Sequence, residues 1–222
     1  FTTLFKNVSW HTFPIPLTCR IFNHDRLSLL VRLARHNMTA DDTGSQHNQP
    51  TSQQSPPLVS ILIRSNGRAE LADALTSIAS QSWPAIEVRV VDVSGAGNVR
   101  LPNAYPHALK TVPNDAPLRR SAAANCLLDA AEGELARFLD DDDWRDPDHV
   151  TRLVASLADH PHAVLAYAGV SCVEACEEQP DITHPADWRE VRRYDAPFDP
   201  IRLMAENYIP IHAALFRMSA LR

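Results

Sequence analysis

Leu135-Ala136-Arg137-Phe138-Leu139-Asp140-Asp141-Asp142-Asp143-Trp144 is the stretch that decides the fold. A largely apolar run ends abruptly in four consecutive aspartates, and a tryptophan follows. A strand that ends this way concentrates negative charge at one backbone exit. Like charges a few ångströms apart repel, so the cluster is unfavourable unless a cation offsets it. A hard divalent ion such as Mg²⁺ or Mn²⁺ prefers oxygen ligands and often bridges to phosphate. The competing reading is a solvated acidic turn ahead of the helix that Pro147 starts. The position directly after a buried-looking strand favours the metal.

Working outward, short apolar runs alternate with helical patterns. Leu58 to Ile63 reads as a buried strand, and Ala69 to Ser82 as a helix with Leu71, Leu75, Ile78 and Ala79 at helical spacing. Ile86 to Val93 is a second strand and residues 108–112 a third. Pro117 and Ser121 open a helix that runs through Ala131, and Gly133 closes it. Glu134 to Leu139 is the next strand, followed by a helix from Pro147 to about Leu157 and strands at 163–170 and 213–216. This alternation implies an α/β fold with a mainly parallel sheet covered on both faces. Ligands of such sheets bind beyond the carboxyl ends of the strands. Arg64-Ser65-Asn66, Asp92 and Asp140 to Asp143 all fall at such ends and are expected to converge on one rim.

Residues 39–57 are rich in Gln, Ser and Pro and poor in large apolar side chains, the composition of a flexible linker. Before it, residues 26–35 place Leu27, Leu30, Val31 and Ala34 on one helical face. That segment reads as a membrane-surface helix or, more commonly for such a pattern, as a helix docked on the main domain or closing an upstream one. The domain boundaries are therefore 1–38 helical segment, 39–57 linker and 58–222 main domain.

The bulk properties narrow the classes. A net charge of −6 without a broad basic footprint argues against nucleic acid as the main partner. The four cysteines are few and unevenly spaced, and Cys172 and Cys176 have no second ligand pair at zinc-finger spacing. Reduced thiols in the cytoplasm are the default. No apolar run approaches the length of a membrane span. The chain begins at Phe1 without a signal-peptide pattern and reads as a piece of a longer product. None of the six glycines forms a P-loop or a GxGxxG turn.

Four stretches together resemble the inverting, family-2-type nucleotide-sugar glycosyltransferases. They are Val59 to Arg68, Ala74 to Trp83, Ile86 to Gly95 and Ala123 to Asp148. The last is the most specific, matching the family at Asn125, Leu127, Ala131, Gly133, Glu134, Phe138 to Trp144, Pro147 and Asp148. The resemblance implies a GT-A, Rossmann-like fold, C-terminally incomplete here, with a nucleotide-binding half at 58–145 and the start of an acceptor half at 146–222. It implies metal-dependent transfer of a sugar from a nucleoside-diphosphate donor to a glycan, lipid-linked or protein acceptor, with inversion, as in polysaccharide biosynthesis. Carried over by position, Ser65, Asp92, Asn125, Asp140 and Asp141 bind the nucleotide sugar, and Asp142 with Asp140 overlies the DXD motif and holds Mg²⁺ or Mn²⁺. The implied location is the cytoplasm, at the inner membrane face if the protein associates peripherally with the membrane.

The chain also departs from the family pattern. The Pro-Thr-Tyr-Asn loop is Arg64-Ser65-Asn66-Gly67, the double aspartate is Asp92-Val93, and the arginine before Asn125 is Ala124. An inverting transfer needs a carboxylate to deprotonate the acceptor hydroxyl. The family's acidic motif for that task is expected beyond Arg222; Asp195, Asp199 and Glu206 are candidates by proximity in sequence alone. Arg119 and Arg120 read as an exposed helix start or as a charge partner for the diphosphate. His212 beside Ile211 and Ala213 reads as a packed core residue. Trp144 suits either a sugar pocket or a core anchor, Trp188 to Tyr194 a solvated basic helix face, and Pro197 to Tyr208 a packed helix. A non-catalytic nucleotide-binding or scaffold module of a larger polypeptide is the alternative to an enzyme.

Overall fold

β-branched and apolar runs that alternate with amphipathic segments build two sheets and the helices that cover the larger one. The computed structural model describes residues 18–21, 28–31, 55–176 and 180–222, the first two stretches as backbone strands. In chain order the elements are β1 (Thr18–Ile21), β2 (Ser28–Val31), β3 (Val59–Ser65), α1 (Leu71–Ala79), β4 (Ile86–Asp92), β5 (Ala108–Val112), α2 (Arg120–Ala130) and β6 (Leu135–Asp140). Then come β7 (Trp144–Arg145), α3 (His149–Asp159), β8 (Ala163–Tyr167), β9 (Val170–Ala175), β10 (Trp188–Tyr194), α4 (Pro200–Ala205) and β11 (Ala214–Arg217).

The larger sheet has seven strands in the order β2-β8-β11-β6-β3-β4-β5. From β6 to β5 the strands are parallel, and strands consecutive in the chain are joined through a helix or a long crossover, as the sequence alternation predicts. β11, β8 and β2 extend it antiparallel. Helices cover both faces. Leu71, Leu75 and Ile78 of α1 and Val150, Leu153 and Leu157 of α3 pack with Ile61, Ile63, Val88 and Val90 on one side. On the other side Ala123 and Leu127 of α2 pack with Leu62, Val91, Ala136 and Phe138. Burial on both faces explains the near-continuous apolar runs of β3 and β4.

A second sheet orders β10-β9-β1-β7. Three local expectations change here. Residues 28–31, inside the span read as helical, form β2 along β8. A four-residue apolar run does not separate helix from strand by period, and the open edge of β8 supplies hydrogen-bond partners. Trp188 to Tyr194 is a strand with its arginines exposed, not a basic helix. The helix in Pro197 to Tyr208 shrinks to α4, capped by Asp199, with Ile201 and Met204 exposed and only Tyr208 buried. Except for its last three residues, the 39–57 linker lies outside the described residues.

Gly133 serves close approach rather than helix closure. A Cβ there would lie 2.6 Å from Ser60 Oγ and 2.7 Å from the Leu58 carbonyl oxygen.

Candidate functional site

Register brings the expected residues to one rim. Ser65 sits opposite Asp92 across β3 and β4, and Arg64 sits opposite Asp140 across β3 and β6. Three neighbouring parallel strands thus end in a hydroxyl, a carboxylate and the start of the acidic run.

The loops after these strands are tightly organised. Asp92 uses its carboxylate locally, accepting from Ser94 N at 2.9 Å, Ser94 Oγ at 2.5 Å and Asn98 N at 2.5 Å. Burial alone would raise its pKa, but these donors outweigh it and hold the group below the ordinary carboxylate value. Ser65 Oγ accepts from Gly67 N at 3.0 Å. Gly67 adopts φ +86°, and a Cβ on it would lie 2.6 Å from the Asn98 carbonyl oxygen, so the two loops meet where only glycine fits.

Asp140 to Asp143 form the crossing from β6 in the large sheet to β7 in the small one, closed by Asp143 N donating to Asp140 O at 3.2 Å. Arginines meet the acids. Arg64 Nη2 donates to Asp140 Oδ1. Arg68 Nη1 lies 2.9 Å from Asp142 Oδ2, and its Nε lies 3.4 Å from Asp141 Oδ1. Burial raises the Asp142 pKa; Arg68 opposes the rise, while Asp140 and Asp141 add to it. Burial works against the Arg68 charge, yet Asp141 and Asp142 carry its pKa above the ordinary value.

Beneath the acids lies a buried basic layer. Arg145, almost fully buried, has its pKa pushed down to about 9 by desolvation, against the pull of Asp143. Arg137 is fully buried, with its pKa lowered by desolvation and by Arg145, and donates from Nη2 to the His212 carbonyl oxygen at 2.5 Å. His212 stands in the short turn before β11, its Nδ1 3.4 Å from Asp143 Oδ2. Desolvation, with Arg145 and Arg137 adding to it and Asp140 opposing, drops its pKa to about 4. The ring is therefore neutral at pH 7 and has a lone pair to offer.

One ligand atom each from Asp140, Asp143 and His212 lies within 4.8 Å of the others. Two carboxylate oxygens and a neutral imidazole nitrogen gathered this closely could together hold a divalent cation. Asp140 belongs to this trio and to the pair expected from sequence; Asp142 instead faces Arg68. Asn125 stands exposed on α2. Arg119 and Arg120 are exposed where α2 starts. Trp144 is buried against Trp188, ring centroids 4.6 Å apart, and anchors the crossing rather than lining an open pocket. Asp199 caps α4 and Glu206 pairs with Arg202 on the surface.

Sequence reading placed Arg64 and Asp143 on the rim without giving Arg64 as a partner of the acids or Asp143 as a ligand, and it missed Arg68 and His212 as members of the cluster. For Asp143 and the arginines the signal was present, as charge at strand ends. For His212 there was none, because its place depends on β11 pairing antiparallel with β6 across a long gap in sequence. A groove of about 650 Å³ adjoins the cluster through Gly67 and Arg68, and is walled by α1 and the loop from Arg100 to Pro106.

Residues 61–222 match the sequence profile of Glycosyl transferase family 2. The chain belongs to that family. An uncharacterized glycosyltransferase of Haemophilus influenzae is 24% identical over 135 residues, covering 60% of this chain and 46% of the relative. The chain thus spans about half the length of that curated relative. Among solved structures, S. aureus TarS solved with UDP is similar at a TM-score of 0.46 and 17% identity, over 74% of this chain and 48% of that one. The mannosyltransferase PcManGT from Pyrobaculum calidifontis, solved with GDP-Man and Mn²⁺, is similar at a TM-score of 0.40 and 24% identity, over 48% and 34%. Among the described residues of this family 2 member, no helix is long and apolar enough to cross a membrane.

Proposed function

We propose that this family 2 chain carries the donor-binding part of an inverting glycosyltransferase that takes a nucleoside-diphosphate sugar and uses Mg²⁺ or Mn²⁺. The observation that carries the reading is the in-register meeting of Ser65, Asp92 and the Asp140 to Asp143 crossing at one strand rim. Residues 58–145 form the donor half, and 146–222 begin the half that receives a glycan, lipid-linked or protein acceptor.

In this reading Asp140 and Asp143, with His212 or Asp142, hold the cation, which serves as a Lewis acid for the leaving diphosphate. Asp141 is assigned to the ribose by its match to the family motif. Ser65 and Asp92 shape the wall for the nucleoside, Asp92 by locking the Ser94 to Asn98 loop as well as through its own edge. Asn125 is assigned to the donor by its match to the family motif. The buried Arg145 and Arg137 keep the rim from becoming so negative that an anionic donor is repelled. The general base belongs to the acceptor half; no described carboxylate is assigned to it.

Calorimetric titration of UDP, GDP and dTDP with and without Mn²⁺ tests the reading. At least one is expected to bind only with the metal, and Asp140→Asn to weaken that binding by about tenfold or more. Metal-independent binding, or none, overturns it.

A further inference from the structure

We propose that Arg64 and Arg68 act as internal counter-cations of the acid cluster, which a divalent ion must displace, and that the freed guanidiniums then grip the donor's diphosphate. The inference rests on the metal and nucleotide reading above and adds roles for two residues of this chain.

Four adjacent carboxylates leave one strand end, and the chain supplies its own cations to them. Arg64 pairs with Asp140, and Arg68 spans Asp142 at 2.9 Å and Asp141 at 3.4 Å. Asp143 faces inward to His212 and Arg145 instead. Both outer arginines come from one place, the end of β3 and the loop after it. Arg64 is fixed by register opposite Asp140, while Gly67 pins the loop against Asn98.

Asp140 is claimed twice. It holds Arg64, and it offers an oxygen to the trio with Asp143 and His212. A divalent ion is repelled by a guanidinium held on the same carboxylate, as Arg64 is on Asp140, or on the next ones, as Arg68 is on Asp141 and Asp142, so the ion binds more tightly as the arginines withdraw. The displaced arginines stay tethered at the rim. Each carries a planar fork of N–H donors matched to phosphate oxygens. Arg68 also lines the 650 Å³ groove, so its swing leads from the acids toward open space. Metal and diphosphate then favour each other: the metal releases the arginines that the diphosphate needs, and the diphosphate holds them away from the metal's ligands. Coupling of this kind is reciprocal.

The test uses the whole protein and two titrations: Mn²⁺ alone, then UDP and GDP at saturating Mn²⁺. Arg64→Gln and Arg68→Gln are expected to bind Mn²⁺ alone about three- to tenfold more tightly, with one counter-cation gone. The same variants are expected to bind the nucleoside diphosphate about tenfold more weakly at saturating Mn²⁺. Arg100→Gln, which lines the groove but touches no aspartate among the described contacts, is expected to leave Mn²⁺ affinity unchanged. Opposite signs in the two titrations support the exchange, because a purely structural arginine weakens both. Unchanged or weaker Mn²⁺ binding in the variants, while the wild type binds Mn²⁺ and a nucleotide, overturns it and leaves the functional reading standing. A wild type that binds neither overturns both. Arg68 is 43% exposed, so its replacement is tolerated by the fold and decides the matter if Arg64→Gln does not fold.

Discussion

At the scale of single residues, His149 is the most exacting case. It is fully buried in the first turn of α3, and neither ring nitrogen has a hydrogen-bond partner. Desolvation pushes its pKa well below the ordinary value, and the charges facing it push the same way: Arg137 from β6, Arg145 from β7, Arg152 from its own helix, and His212. The consequence for stability has a definite sign. Below about pH 6.5 the unfolded chain takes up a proton at this histidine and the folded chain does not, so stability falls with pH by up to about 1.4 kcal/mol per unit. The contribution is fully present above that pH. His149→Leu removes the group and two orphaned polar atoms at once, so the variant is expected to match or exceed wild-type stability at pH 5.5. At pH 7.5 the difference is expected to stay within about 1 kcal/mol. Urea unfolding at both pH values measures this. An equal loss between pH 7.5 and 5.5 in the two proteins would show that His149 does not carry the acid sensitivity.

Elements are joined here by a buried polar knot as well as by apolar packing. Glu87 of β4 accepts from Ser60 Oγ of β3 at 2.5 Å and from Glu132 N at 2.7 Å, and pairs with Arg89. Ser60 in turn receives Gly133 N at 2.9 Å, so the knot ties two parallel strands to the turn that launches β6. Burial would raise the Glu87 pKa, yet the Ser60 hydroxyl, the Glu132 amide and Arg89 hold it below the ordinary value. Glu87→Gln keeps the shape but replaces an acceptor with a donor and leaves Arg89 with only Glu132. A loss of about 2–4 kcal/mol is expected in urea unfolding; a loss under about 0.5 kcal/mol would mean the knot is incidental. The parallel half was legible in the sequence because each strand–helix unit is local. β5 falls at residues 108–112 as read, and β3, β4 and β6 lie within two residues of expectation. The small sheet was not legible. β10 is short of apolar residues, β7 is only two residues long, and β9 begins where the strand read at 163–170 was expected to end. The site divides the same way. The rim of Arg64, Ser65, Asp92 and Asp140 to Asp143 follows from strand ends, whereas the place of His212 and the pairing of Arg68 with Asp141 and Asp142 depend on side-chain reach between distant segments.

For the whole molecule, the decisive feature is that the acidic crossing hangs between two sheets. Its near end, Asp140, is held in β6 by β3, and its far end, Trp144, begins β7. Among the described strands β7 has one sheet neighbour, β1, which also pairs with β9 and so lies inside the small sheet. Residues far ahead of the main domain in sequence therefore brace the far side of the candidate metal site, while β2 closes the edge of the large sheet along β8. The sequence reading took the segment that holds β2 as a helix, docked on the main domain or closing an upstream one, where β2 is a strand. A chain beginning at Ser55 keeps β3 to β6 and their helices but loses β1 and β2. Its large-sheet core is expected to persist, since β3, β4 and β6 pair among themselves. The crossing keeps its contacts with Arg68 and His212 and the Trp144–Trp188 stack but loses the described strand partner of β7, and is expected to loosen. The expected readings are a melting temperature lower by at least about 5 °C and Mn²⁺ binding weakened by about tenfold, with near-native far-ultraviolet circular dichroism. Separating the two readings is informative. Lower stability with unchanged metal affinity would place β1 outside the support of the site, and no change in either would show that the N-terminal strands are dispensable to the fold.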